Sequence, residues 1–442
     1  WQILCEQGKR VIVMNVPMTY PAEKVNGCFI AGLDAPGISS PGFTHPDQLL
    51  SDLENTLGPY IQEPGVNSLV MAGKEQEALD KIKFSVRQRG KYARALLMNY
   101  EWDTSVIVFR ETDPAQHCFW HHMESENDTF KDAICEVYQE IDAEIGSILS
   151  VIHEEHTVVV LSDHGFGFRQ HGNGCLNSWL AQSGYLTFKG QKVTHQTSNI
   201  LKIGYQFLEK SLSRKVKEKM FARIPGLINK IQSKIFFPSI EWEKTLAYAD
   251  NIMPVIWINQ DALHSKSSEN VQEYNTIVQE LQHDLLENFL DADTGQPVID
   301  AVSHRDDIYT GPCADKAPDL LIHWKHDSKI SRAMYGPERD PILPNYPTRE
   351  FSVISGDHRA YGVFIASGPG INTKSRLESE LNIIDVPSII TYLNGLPVPE
   401  HMEGQLPLDL FTSDFLDQHP LQFKPCPAEN DTPQNDALSK ID

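Results

Sequence analysis

The sequence lacks any apolar run approaching the ~18 residues that a membrane-spanning helix requires, which excludes a helical integral membrane protein. It also lacks paired cysteines. Its seven (Cys5, Cys28, Cys118, Cys135, Cys175, Cys313, Cys426) are odd in number, scattered and never spaced CxxC. Such usage fits a reducing, cytoplasmic setting better than a disulfide framework. Positive charge is scarce as well: 38 Lys and Arg stand against 60 Asp and Glu, a net charge of -22. That balance argues against nucleic acid as the main partner. An anionic substrate remains compatible, because bound cations outweigh distant surface charge. The chain shows no internal repeat and no low-complexity tract. It opens WQILCEQGKRVIVMNVP, with no Met and no basic-then-apolar leader, so no signal peptide is expected and a processed chain or fragment is.

What is present fits a globular α/β protein. The 442 residues can make one large domain or two ordinary ones. A hydrophobic content of 40%, charged content of 22% and mean hydropathy of -0.34 exclude a fibrous, collagen-like or wholly disordered chain. Apolar, β-branched runs at Arg10–Pro17, Ser105–Phe109, Thr157–Ser162, Asp319–His323 and Gly362–Ala366 read as buried strands. Between the second and third, Ile134, Val137, Ile141, Ile145, Ile148 and Leu149 recur at helical spacing, so strand–helix–strand is expected across Asp132–Ile152. Residues 74–98 form another amphipathic helix. Alternating strands and helices predict an α/β domain around a mostly parallel sheet.

Two segments depart from this pattern. From Lys202 to Lys234 the acidic protein carries nine Lys/Arg and only two Glu, with Phe207, Leu208, Leu212 and Val216 at amphipathic spacing. A helical insertion with a solvated basic face, over about 190–245, is expected, with peripheral membrane or partner contact as the sharper alternative. From Ser413 onward Pro420, Pro425, Pro427 and Pro433 lie among polar and acidic residues, so 413–442 is expected to be an extended or disordered tail.

Three clusters carry chemistry. Thr112-Asp113-Pro114-Ala115-Gln116-His117 follows the SVIVF strand, Ser162-Asp163-His164-Gly165 follows TVVVL, and Gly356-Asp357-His358-Arg359 precedes GVFIASGPG. In open α/β sheets ligands bind outside the carboxyl ends of the strands, where the first two clusters sit. Asp113 and His117 are four apart and would share one helical face. Asp163 and His164 are adjacent on a turn, where their side chains can splay toward two ions. Asp and His together suit zinc or a similar divalent ion. Two such ions can polarise a phosphoryl oxygen, activate a nucleophile and stabilise a leaving oxygen. The same charge logic serves a sulfate ester. Each cluster taken alone has an ordinary structural use; their order along the chain favours a metal site.

The combination TDPAQH, LSDHGFG and GDHRAYGVFIASGPGI resembles the alkaline phosphatase superfamily. Within it, the chain is most similar to the type I phosphodiesterase/nucleotide pyrophosphatase family, in the group described as phosphohydrolase/phosphomutase-like. GKRVIVMNVPMTYPAEKVNGCFIAG, LNSWLAQSGYL and KAPDLLIHW also look like family segments, and the resemblance runs from about residue 1 to 410.

That resemblance implies a three-layer α/β/α domain over 1–412, with a mostly parallel central sheet and a helical insertion. It implies two divalent ions, zinc in the first place, with manganese also fitting the donor set. Asp113, His117 and His358 match ligands of one ion, and Asp163 and His164 match ligands of the other. It implies hydrolysis of a small phosphate ester or nucleotide through a covalent phosphoryl-enzyme. The family's first strand, its Asp-Gly ligand turn and its Thr or Ser nucleophile normally precede the segment that opens this chain. The catalytic nucleophile is therefore expected to be absent, either because the chain is a fragment or because its site is incomplete. Asp34, Thr19 and Ser39 are weak stand-ins, since they align with a different family segment. Arg359 could pair with a substrate phosphate, or simply with a neighbouring acid. His121, His122 and His171 could line the pocket or be ordinary surface histidines. Cys118 reads as a buried small hydrophobe. A phosphomutase of the same superfamily, and a non-catalytic metal-binding scaffold, are the alternatives. Oligomeric state is not legible.

Overall fold

In a computed structural model of the chain, the described residues are 1–152, 155–170, 172–189, 240–249, 253–263, 269–325, 334–335, 341–342, 354–373, 376–377 and 380–425. They fall into two compact units. One comprises Trp1–Gly167 and the chain from His358 onward, the other Phe168–Asp357. The fold is α/β, as the sequence predicts. No helix among the described residues is long and apolar enough to cross a membrane.

The first unit is built on a four-stranded sheet of β1 (Val11–Val16), β2 (Gly27–Ala31), β3 (Thr44–His45) and β4 (Thr104–Ile107), in the order β3-β2-β1-β4. β1 runs parallel to both neighbours, with Ile12 opposite Cys28 and Ser105, while β3 is antiparallel to β2. The run VIVMN is wholly buried because both faces are covered, the environment that a continuous apolar strand calls for. Beyond the short α3 (Asn67–Met71), Tyr92 and Leu96 of α4 (Glu75–Asn99) join Ile12, Met14 and Leu49 of α2 (Leu49–Leu57) on one face. Val11 and Val13 join Phe29 and Leu4 of α1 (Gln2–Glu6) on the other, with Ile390 from the helix Val386–Leu393. Each such buried aliphatic contributes about 1.5–3 kcal/mol.

α4 forms because Ala78, Leu79, Ile82, Val86, Ala93, Leu96 and Leu97 recur at three- and four-residue steps and bury one face. Its basic side meets α6 (Ala133–Leu149): Lys83, Arg87 and Arg94 pair with Glu136, Glu140 and Glu144. A side chain at Gly90 would collide with Glu144, its Cβ lying 1.9 Å from Oε2, so glycine is what lets the two helices close at that rung.

Two expectations are corrected here. β5 (Val158–Leu161) does not extend the parallel sheet after β4 and α6; it pairs antiparallel with Phe364–Ser367. Nor is it fully buried, since Val160 and Leu161 are exposed and β4 is half-buried throughout. Among the described residues β4 lies at the edge of its sheet and β5 pairs with one strand, so neither shows the two-sided cover that its composition suits. The tail is also more ordered than its prolines suggest. Ser413–Gln418 is helical, capped by Thr412, and Phe415 packs on Tyr392 and Phe411. Phe423–Lys424 then pairs with Val398–Pro399. Residues 426–442 lie outside the described residues.

In the second unit, Ile299–His304, Leu320–Trp324, Val255–Ile258 and Ala247–Ala249 make an antiparallel sheet in that order. The DLLIH strand, expected in the mostly parallel sheet, thus belongs to an antiparallel one. Trp179 of α7 (Gly172–Gln182) and Leu281 and Leu285 of the helix Glu269–Asn288 pack there with Ile256 and Leu320. Asp319 is buried and satisfied by the Ile258 amide, the Tyr274 hydroxyl and the Arg305 guanidinium. The basic helical insertion expected over about 190–245 lies, save for residues 240–245, outside the described residues.

Candidate metal centre

α5 (Thr112–Phe119) follows β4 by four residues and carries the first cluster. Pro114 falls in its first turn, where a missing N–H costs no helical bond. Pro114, Ala115, Cys118 and Phe119 are buried, so the opposite face, one turn apart, presents Asp113 and His117. The second cluster follows β5 directly, ahead of β6 (Gly165–Phe168). His358 lies in the short strand Gly356–Arg359, where the chain returns to the first unit.

These segments bring the predicted residues together across a sequence separation of up to 245 residues. His358 Nε2 lies 3.2 Å from Asp113 Oδ1 and 3.2 Å from His117 Nε2, and His117 Nε2 lies 3.3 Å from Asp113 Oδ1. The imidazole of His164 stacks on that of His358 with ring centroids 3.8 Å apart. Ligand atoms of Asp113, His164 and His358 all lie within 4.8 Å of one another, an arrangement that could hold a metal ion. His164 Nδ1 faces the Gly165 carbonyl at 3.0 Å, which leaves Nε2 as its ligating atom. Asp163 is mostly exposed, with Oδ2 3.7 Å from His164 Nε2.

The triangle made by Asp113, His117 and His358 fits a zinc-type ion. Tetrahedral ligands at ~2.0–2.1 Å stand about 3.3 Å apart, the spacing observed between these atoms. The donor set of imidazole nitrogens and a carboxylate oxygen also suits such an ion. The five residues gather in one cluster rather than in two visibly separate sets.

Sequence reasoning missed the supports of this cluster. Arg110 holds Asp113 from behind, its Nη2 3.3 Å from Oδ2, and is itself paired with Glu63 at 3.0 Å. The i to i+3 spacing from Arg110 to Asp113 was available as a signal. Burial would raise the Asp113 carboxyl, but hydrogen bonds from His117 and His358 and the Arg110 charge outweigh it and hold the group well below the usual carboxylate range. Phe166 packs against His117, His164 and His358 and stacks on Trp120. Nothing in the GFGF pattern singles it out.

The remaining candidates fall elsewhere. Arg359 donates to the His358 carbonyl at 2.9 Å, and its guanidinium occupies space that a Cβ at Gly167 would take. His122 bonds Asp128 at 2.8 Å and packs on Phe119 and Phe130, with the His121 ring beside it. Asp34 sits at positive φ and accepts from the Met18 amide, an ordinary turn role. Thr19 bonds the Val16 carbonyl. Cys118 is fully buried, which pushes its thiol up to about 12. His171 lies outside the described residues.

The family model of type I phosphodiesterase / nucleotide pyrophosphatase matches residues 1–346. That span includes four of the five clustered residues and ends before His358. No curated protein and no solved structure matches the chain.

Proposed function

The chain belongs to the type I phosphodiesterase/nucleotide pyrophosphatase family, and from that premise we propose that the cluster of Asp113, His117, Asp163, His164 and His358 is the divalent-metal centre of its phosphoric ester hydrolysis. The observation that carries the reading is the triangle of ligand atoms 3.2–3.3 Å apart. Divalent ions held there would polarise a phosphoryl oxygen and lower the pKa of bound water. Zinc is our first choice and manganese the second, since both accept this donor set. Two ions is the expected number, with Asp163 and His164 contributing to the second.

The chain's own residues then have distinct tasks. Arg110 keeps Asp113 ionised and turns Oδ1 toward the histidines. The Gly165 carbonyl fixes the His164 tautomer. Phe166 and Trp120 place an apolar surface beside the imidazoles, while His358 stays half-exposed. Arg359, adjacent to His358, is the candidate contact for a substrate phosphate. None of the five clustered residues carries a hydroxyl, so a Thr or Ser nucleophile is not part of this cluster. We favour a diester or nucleotide pyrophosphate over a monoester as substrate, and a small molecule over a nucleic acid.

The test is hydrolysis of bis(p-nitrophenyl) phosphate, p-nitrophenyl phosphate and a dinucleotide pyrophosphate by metal-free and Zn²⁺- or Mn²⁺-loaded protein. Metal-dependent turnover of diester or pyrophosphate, abolished by His358→Ala, is expected from protein that includes the nucleophile segment. Undiminished turnover in EDTA would refute the metal reading.

A further inference from the structure

Beneath the cluster lies a charged group that the proposed chemistry does not use. Glu111, the residue that opens α5, is completely buried, and so is its partner Arg89 on α4. Arg89 Nε lies 2.9 Å from Glu111 Oε1 and 3.2 Å from Oε2, and Nη2 lies 2.8 Å from Oε1. Ser85, one turn earlier on α4, donates to the same Oε1 at 2.7 Å. The rest of the guanidinium is bound too, by the Tyr60 hydroxyl at 3.1 Å and the Ile61 carbonyl at 3.0 Å.

A buried ion pair is a poor device for stability. Removing two charges from water costs several kcal/mol per ion, and a well-packed apolar pair of similar volume often does as well or better. What it supplies is direction. Ser85 and Arg89 lie four residues apart on one face of α4 and hold one carboxylate at two points along that face. Glu111 is two residues before Asp113 and six before His117, and the intervening turn is rigid helix. Fixing the Glu111 carboxylate therefore fixes the azimuth at which Asp113 and His117 leave α5.

We infer that Arg89 and Glu111 are positioning residues for the metal centre, aiming the Asp113–His117 face of α5 at His358. The inference rests on the metal reading above. The pair is bonded by Ser85, Tyr60 and Ile61. It acts through the backbone of one helix turn, much as outer partners of metal ligands do at closer range.

The experiment is Mn²⁺ binding to the full chain by EPR titration, alongside the thermal unfolding of the metal-free protein, in three variants. Arg89→Met/Glu111→Leu replaces the pair with apolar side chains. Glu111→Gln keeps the shape while weakening the Arg89 contact. His117→Ala removes a ligand. The double variant is expected to unfold within a few degrees of wild type yet bind Mn²⁺ about 10-fold more weakly, with a broadened EPR signal, and Glu111→Gln to weaken binding in the same direction. If these variants do not fold, Ser85→Ala, which removes one bond to Glu111 and leaves the ion pair intact, carries the test in the same direction. Wild-type affinity and line shape in the folded variants, while His117→Ala loses binding, would overturn the positioning role and leave the metal reading intact. A wild-type chain that binds neither Mn²⁺ nor Zn²⁺ would overturn both.

Discussion

Replacing Asp113 by Asn separates two roles of one carboxylate. The side chain receives bonds from His117 and His358 at 3.3 and 3.2 Å and faces the Arg110 guanidinium at 3.3 Å. Asparagine keeps the volume and one acceptor oxygen but loses the charge that draws these three partners. Hydrogen bonds to charged groups are worth about 1.5–3 kcal/mol each, and one acceptor survives, so the metal-free variant should lose about 1–3 kcal/mol at pH 7. The loss should depend on pH in a defined direction. A carboxyl held below its ordinary value binds its proton more weakly in the folded than in the unfolded chain, so it stabilises the fold when ionised. The wild-type advantage should be full above the unfolded value of ~3.9 and decline as the pH falls toward the depressed folded value. Urea unfolding of both proteins from pH 7 to pH 2, in EDTA, measures it. Metal binding should suffer more. Outer partners of ligands cost about 10–100-fold in affinity when removed, and a ligand should exceed that. A stability gap that stays flat or widens with acid would refute the electrostatic account, and unchanged Zn²⁺ or Mn²⁺ affinity would refute the assignment of Asp113 as a ligand.

Other outcomes test the scaffold. Gly90→Ala should destabilise the fold by about 1–3 kcal/mol in urea unfolding, because its Cβ meets Glu144 Oε2 at 1.9 Å. Adding Glu144→Ala removes the clash but also the partner of Arg94, so it should recover most of the loss without exceeding wild type. Among the cysteines, exposed Cys135 and Cys313 should react with a thiol reagent in the native protein. Buried Cys118 and Cys175, with thiols pushed up to about 12, should react only after unfolding, as followed by peptide mass mapping.

Local pattern was enough for much of this protein. The apolar run of β1, the helical periods of α4 and α6, and the four-residue step from Asp113 to His117 are short-range features, so the sequence alone determined them. The three clusters pointed to a metal site only in combination, since each alone has an ordinary structural use. Pairing between distant segments is another matter. That β5 would join Phe364–Ser367 antiparallel rather than extend the parallel sheet, and that DLLIH would enter an antiparallel sheet, depends on partners that no window of sequence contains. The same holds within the cluster. Sequence named His117 and His358 as ligands from family likeness, but only folding across some 240 residues sets their nitrogens 3.2 Å apart. Phe166 and the buried Arg89–Glu111 pair were invisible for a related reason. Arginine, phenylalanine and glutamate are common residues, and only the neighbours that tertiary structure supplies turn a common side chain into part of a site.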